Sequence, residues 1–256
     1  MANVQEQLGE LLDVFQEADK AVMDVYDNHS AIVEIKADNT PVTQVDIASH
    51  HIVTGGLLRL FPDIPVVSEE GDKDTNVQTV QGERFWLVDP LDGTKEFLAR
   101  TGHFTICAAL IESDRPSFGI ISAPALGVTY YGGLEMGSYK KIQNQEAQHI
   151  RVSTQKLGVV LGSRSDLNEP TSTYIAEHFE SSKIVQVGSQ LKLPEIAEGL
   201  ADAYPRIDGP LHLWDLAAGQ AILEGAGGAV TKPDGSPINY HAETLKVGDF
   251  VAKSLA

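Results

Sequence analysis

The feature that most constrains this chain is a run of six residues directly behind its most hydrophobic segment. Phe85-Trp86-Leu87-Val88 reads as a buried strand, and it passes without a spacer into Asp89-Pro90-Leu91-Asp92-Gly93-Thr94. Ligands of sheet proteins collect at strand ends, so two carboxylates set there by a proline turn are candidates for a site. Glu69-Glu70 follow another short strand, Pro65-Val66-Val67, and Asp215 is expected to open a helix after the turn Asp208-Gly209-Pro210. Each acid has a plainer reading. Asp46 stands three after Thr43 as a capping box, Asp215 suits an N-cap, Asp92-Gly93 a turn and Glu69-Glu70 a solvated loop start. Their joint placement favours convergence on one crevice.

The donor types then narrow the chemistry. Cys107 is the only cysteine, which excludes an intramolecular disulfide and a multi-cysteine zinc site and fits a reducing compartment. Hard oxygen donors without thiolates or a histidine pair select Mg²⁺, with Mn²⁺ as the alternative. With 19 Lys+Arg against 36 Asp+Glu, the formal net charge of −17 repels nucleic-acid polymers and anionic membranes. A small anionic substrate needs local compensation, which two or three Mg²⁺ would supply at about +4 to +6.

The 256 residues fit one large domain or two that share an interface. Leu8, Leu11, Leu12, Phe15, Ala18, Val22 and Val25 recur at helical spacing. A hairpin is expected around Val33-Glu34-Ile35 and Pro41-Val42-Thr43, with its turn at Asp38-Asn39, and a second helix over 45–60. The segment 71–82 is polar and aperiodic and reads as a mobile loop. After the 85–88 strand, β-type segments at 105–111, 118–122 and 128–131 suggest an antiparallel sheet. From about 153 the pattern alternates: strands at 159–161, 184–187 and 203–207, helices at 171–179, 191–200 and 215–224. The division is therefore an N-terminal α+β half over 1–150 with most candidate metal ligands, and a C-terminal α/β half over 151–256 with Asp215. No basic leader or long apolar run occurs, so the expectation is a soluble cytoplasmic protein, or one held loosely at the cytoplasmic face of the inner membrane.

Within the 89–94 run, Pro90 restricts the turn, the Leu91 carbonyl is freed from the ladder and Gly93 permits close backbone approach. Thr94 starts a short helix whose N–H groups would face a phosphate oxygen, and its hydroxyl can orient a water. Two metals about 4 Å apart would clamp the attacking and leaving oxygens of an in-line phosphoryl displacement. A calcium loop at Asp72, Asp74, Asn76 and Glu83 is disfavoured because Val77 stands where a glycine is needed. Dinucleotide, P-loop, α/β-hydrolase and zincin motifs are missing.

Asp89-Pro90-Leu91-Asp92-Gly93-Thr94, with Glu69-Glu70 upstream and Trp214-Asp215-Leu216-Ala217-Ala218-Gly219 downstream, resembles the lithium-sensitive, magnesium-dependent phosphatases of the inositol monophosphatase superfamily. The resemblance implies a layered α/β/α/β sandwich. It also implies Glu69, Asp89, the Leu91 carbonyl, Asp92 and Asp215 as metal ligands. Asp46 and Thr94 would activate the water, in place of the capping reading, with Glu70 beside them in the catalytic set. Lys95-Glu96-Phe97, Ser163-Arg164-Ser165, Gly188-Ser189-Gln190-Leu191-Lys192 and Ala201 to Arg206 are similar to its CysQ branch, the 3′(2′),5′-bisphosphate nucleotidases. That branch implies hydrolysis of adenosine 3′,5′-bisphosphate to AMP, with the sulfated derivative as a second substrate, linked to sulfur assimilation.

Substrate contacts implied are Gly93, Thr94, Ser189, Lys192, Arg206 and Asp215, the middle three suited to the retained phosphate. Singly, Lys192 could be a solvated helix lysine and Arg206 a partner of Asp202 or Asp208. Lys36 resembles a position near the metals, or is an ordinary surface lysine. His50 and His51 read as packed or solvated helical residues, Cys107 as core. The C-terminus is shorter than the resemblance implies, which leaves the last strand and helix open. An inositol or other sugar phosphate phosphatase of the same superfamily, and a non-catalytic acidic metal-binding protein, are the alternatives. Either a monomer or a homodimer is compatible with the sequence.

Overall fold

A computed structural model describes every residue except 1–3, 30, 36–40, 210, 242–243 and 256. Lys36 and the expected Asp38-Asn39 turn lie outside the described residues.

The chain begins with helix α1 (Leu8–Asp27), whose Leu11, Phe15, Ala18, Val22 and Tyr26 form one buried stripe. Strands β1 (Val33–Ile35) and β2 (Pro41–Thr43) pair antiparallel, and β2 leads into α2 (Gln44–Leu60). Gly56 lets α2 approach α1, since a Cβ there would stand 2.5 Å from a Val14 methyl. β3 (Val66–Ser68) and α3 (Lys73–Thr79) precede β4 (Arg84–Asp92) and the one-turn α4 (Thr94–Leu98). A meander follows: β5 (Thr105–Glu112), β6 (Arg115–Ala123), β7 (Val128–Gly133), β8 (Gly137–Ile142) and β9 (Gln148–Ile150). Strands β3 to β9 form a seven-stranded sheet in chain order, antiparallel except where β3 runs parallel to β4.

The remainder comprises β10 (Val159–Ser163), α5 (Glu169–His178), β11 (Lys183–Val187), α6 (Lys192–Ala197), β12 (Ala203–Arg206), β13 (Leu211–His212), α7 (Ala217–Gly225), β14 (Ala229–Thr231), β15 (Lys246–Val247) and β16 (Phe250–Lys253). Five of these strands make a second sheet in the order β11-β10-β12-β16-β14. β16 lies antiparallel between β12 and β14, so the last strand, left open by the sequence, is an interior member of the sheet.

Alternation along β4 explains the layering. Trp86 and Val88 join Ile106, Ala108, Leu110 and Ile120 under α1 and α2. Phe85 and Leu87 join Cys107, Ala109 and Ile121 on the opposite face, against Leu193, Ile196, Ala218 and Ile222 of α6 and α7. The far side of those helices meets Tyr204, Phe250 and Ala252 of the second sheet. The expected α/β/α/β sandwich is thus present, and Ile175 of α5 adds an outer cover against Val160 and Ala203.

Three expectations need correction. The stretch 71–82 holds α3, whose cap is Asp72: its Oδ1 accepts the Thr75 N–H at 2.9 Å and hydroxyl at 2.7 Å. The helix escaped notice because its one buried side chain is polar Asn76, which donates to the Ser68 carbonyl. The antiparallel sheet continues into β8 and β9, which the sequence reading did not identify. Finally, α7 starts at Ala217, two residues beyond Asp215. No helix among the described residues is long and apolar enough to cross a membrane.

Candidate active site

The strand β4 builds the centre of the site. Its pairing with β5 runs regularly to Asp89 opposite Cys107 and resumes at Asp92 opposite Thr105. One extra residue is therefore accommodated on β4, a bulge that re-aims the intervening side chains. The parallel neighbour β3 delivers Glu69: its N–H donates to the Val88 carbonyl at 3.1 Å, setting it beside Asp89. Asp89 Oδ1 accepts the Leu91 N–H at 3.1 Å, and Ser49 donates to the Pro90 carbonyl at 2.7 Å. These bonds fix the turn.

Gly93 at φ +86° closes the turn, in the left-handed region where a side chain is strained. A Cβ there would also stand 3.1 Å from the His103 carbonyl oxygen. Thr94 follows as the first residue of α4. Its hydroxyl lies 3.4 Å from the Leu91 carbonyl and 3.5 Å from Asp46 Oδ1.

Asp46 belongs to two arrangements at once. Its Oδ2 accepts the Thr43 N–H at 2.8 Å and the Thr43 hydroxyl at 2.7 Å, a capping box for α2. The capping reading is therefore not displaced by the approach to Thr94; the two oxygens divide the tasks.

Asp215 arrives from the C-terminal half, just before α7, where its Oδ2 accepts the His212 N–H at 2.7 Å. One carboxylate oxygen each of Asp89, Asp92 and Asp215 lies within 4.8 Å of the others. Burial raises the pKa of all three, and their mutual repulsion raises those of Asp89 and Asp215 further. For Asp89 the contributors after burial are Glu69, Asp92, Asp215 and Asp46. Buried carboxylates that repel one another and each offer an oxygen to a common point fit a hard divalent cation. Asp46 is also raised, first by burial and partly by Glu70, against the lowering effect of its Thr43 bonds.

A cleft of about 270 Å³ runs from these acids to the second sheet. Glu69, Asp89, Leu91, Asp92, Gly93, Thr94, Ser189, Lys192, Arg206 and Asp215 all line it; Asp46 and Glu70 are not among its lining residues. The basic residues are not as a solvated-surface reading would have them. Lys192 is buried, at 7% exposure, and its ammonium donates to the Val187 carbonyl at 3.3 Å and to the Ser189 carbonyl. Arg206 is buried too and donates to the Asp166 carbonyl at 2.5 Å rather than pairing with Asp202 or Asp208. Asp202 instead holds the N–H groups of residues 157–159. The Ser189 hydroxyl is directed at Asp92 Oδ2, 2.5 Å away.

Asp166 and His212 are among the cleft residues that escaped the sequence reading, and Tyr204 and Trp214 entered it only as members of motifs. Glu96, noted in the sequence only as part of a motif, is a buried wall residue that accepts the Ser165 hydroxyl. The His212 ring stacks on Trp214 at 4.7 Å. Only tertiary proximity gathers this group, apart from the acids adjoining Trp214 and Glu96 in sequence.

Known proteins are similar to this chain in sequence and fold. The chain is 39% identical over 234 residues to the 3′(2′),5′-bisphosphate nucleotidase CysQ of Escherichia coli K12, covering 91% of this chain and 93% of that protein. It is 33% identical to the CysQ of Haemophilus influenzae, over 86% of this chain and 82% of the relative. The crystal structure of CysQ from Bacteroides thetaiotaomicron superposes with a TM-score of 0.83 at 30% identity, covering 98% of both chains. The model of the inositol monophosphatase family matches residues 4–255. With the bulged β4, its ring of carboxylates and this full-length match, the chain belongs to the inositol monophosphatase family.

Proposed function

We propose that the chain is a Mg²⁺-dependent phosphomonoesterase that removes the 3′-phosphate of adenosine 3′,5′-bisphosphate, giving AMP and inorganic phosphate. The observation that carries this reading is the joining of two unlike regions in one cleft. The acids Glu69, Asp89, Asp92 and Asp215 lie at one end, and buried Lys192 and Arg206 lie along the same wall. A substrate with two phosphates needs both. The likeness to the CysQ nucleotidases over nine-tenths of the chain supports the nucleotide as the organic part. The sulfated analogue shares the 3′-phosphate and is a second substrate, which connects the reaction to sulfur assimilation in the cytoplasm.

Glu69, Asp89, the Leu91 carbonyl, Asp92 and Asp215 would hold the cations. Bound there, Mg²⁺ supplies positive charge that offsets the phosphoryl oxygens and the leaving oxygen. The chain's own groups then handle the proton. Thr94 Oγ1 donates to Asp46 Oδ1, so its lone pairs are available to a water aimed at phosphorus. Attack forms a new P–O bond and breaks the bond to O3′; the proton leaving the water passes through Thr94 to Asp46, and the 3′-oxygen gains one from solvent. The 3.5 Å separation is long, as such contacts are before substrate tightens them. Burial and Glu70 raise the Asp46 pKa, which suits a proton acceptor. Gly93 permits the close approach of substrate that a side chain would block.

Phosphate release from adenosine 3′,5′-bisphosphate, with and without Mg²⁺, tests the reading. Wild type should require the cation and Asp89→Asn should lose turnover. An Asp89→Asn variant with wild-type turnover would remove Asp89 from the metal set, and no Mg²⁺-dependent release from any phosphate ester would revive a non-catalytic role.

A further inference from the structure

Asp92 is held by a line of hydroxyl groups whose proton order can be worked out. Ser189 Oγ lies 2.5 Å from Asp92 Oδ2 and 2.5 Å from Thr105 Oγ1, and Thr105 Oγ1 lies 3.2 Å from Cys107 Sγ. A hydroxyl has one proton to give, and a carboxylate acting as a cation ligand has none. Ser189 must therefore donate to Asp92, and Thr105 must donate to Ser189. Thr105 is left as acceptor, facing the Cys107 thiol. Each proton in the series points toward Asp92, and hydrogen bonds arranged head to tail polarise one another.

The backbone is arranged to make this aim possible. Ser189 has φ +56°, in the left-handed region that a serine occupies at a cost. The Lys192 ammonium spans the turn by donating to the Val187 and Ser189 carbonyls. Thr105 is fully buried at the point where β5 resumes its pairing with Asp92 beyond the bulge. The line thus joins the turn before α6 to the strand that carries the acids.

We infer that Ser189 and Thr105 are positioning residues for the divalent cation: they fix the Asp92 carboxylate, with Oδ2 held by a hydroxyl, within the cluster it forms with Asp89 and Asp215. The inference rests on the reading of Asp92 as a metal ligand. It gives the Ser189 hydroxyl a partner at the cation end of the cleft. It also gives Thr105 a role in a part of the strand that otherwise reads as core.

Mn²⁺ titrated into the metal-free protein by calorimetry tests this without turnover. Ser189→Gly removes the hydroxyl while keeping a residue suited to φ +56°, so the turn survives. It should weaken Mn²⁺ binding about 10- to 100-fold, the range for residues that orient a metal ligand. Thr105→Val keeps the shape and should weaken binding several-fold, Thr105→Ser should restore it, and the Ser189→Gly/Thr105→Val double variant should bind no more weakly than Ser189→Gly alone. Wild-type binding in Ser189→Gly, or losses that simply multiply in the double variant, would overturn the inference. Asp92→Asn separates the two levels: if it binds Mn²⁺ as wild type does, the ligand assignment fails; if it binds weakly while Ser189→Gly is unaffected, only the positioning role fails.

Discussion

The carboxylate of Asp46 faces two threonines with its two oxygens. Oδ2 accepts both donors of Thr43, and Oδ1 stands 3.5 Å from the Thr94 hydroxyl. One residue thereby ties the start of α2 to the start of α4, and the cap holds the carboxylate in place for Thr94. Asp46→Asn should lower kcat by about 10²- to 10⁴-fold, as loss of a proton acceptor does. Thr43→Ala should cost about 1 kcal/mol of stability and leave most of the activity. Steady-state rates and urea melts of the two variants check this; equal losses of kcat would contradict the division of tasks.

Metal removal has a predicted thermal signature. Asp89, Asp92 and Asp215 are buried together at raised pKa values, so the cation-free state carries their repulsion. Mg²⁺ at about 100 times its Kd should stabilise wild type by about 2.7 kcal/mol. Asp89→Asn should show a much smaller gain. Melting in Mg²⁺ and in chelator measures it, and identical wild-type curves would contradict the cation reading.

Asp19 on α1 provides a pH test away from the site. Burial pushes its carboxyl up to about 6 against 3.8, although the Ser122 hydroxyl 2.7 Å from Oδ2 acts the other way. The folded protein then binds the Asp19 proton more tightly than the unfolded chain. Its contribution is fully favourable below about pH 4 and is lost as pH rises through about 6. Asp19→Asn should therefore stabilise the protein at pH 8, by up to about 3 kcal/mol, and make little difference at pH 4. A gain independent of pH would contradict the titration.

Much of this site can be read along the chain, because β4 carries Asp89, Leu91 and Asp92 in one continuous run and the bulge that re-aims them is announced by Asp89-Pro90 and Asp92-Gly93. Glu69 was legible for a similar reason, as a strand-end acid, but its nearness to Asp89 depends on the parallel pairing of β3 with β4. The double use of Asp46 was not legible: a capping box and a catalytic acid have the same spacing, and only the fold brings Thr94 to the free oxygen. α3 was hidden by its polar buried face, and β8, β9, β14 and β16 by brevity or a lack of alternation. Asp166 and Tyr204 enter the cleft from the loop after β10 and from β12 respectively, a meeting no local pattern encodes.

The position of Asp215 depends on how α7 lies on the large sheet. Gly119 of β6 receives the α7 backbone so closely that a Cβ there would come 2.3 Å from the Ala218 carbonyl oxygen. Gly119→Ala should force the helix away, costing about 1 to 3 kcal/mol. Because Asp215 immediately precedes α7, Mg²⁺ affinity should fall as well. Wild-type stability in this variant would show that the contact yields freely.

Substrate choice depends on what the cleft accepts beside its acids. The most direct measurement compares kcat/KM for adenosine 3′,5′-bisphosphate with that for inositol 1-phosphate, both in Mg²⁺. The bisphosphate should be favoured at least about tenfold, the discrimination that about 1.4 kcal/mol from one charge-assisted contact at Arg206 or Lys192 provides. A preference for inositol 1-phosphate would contradict the account.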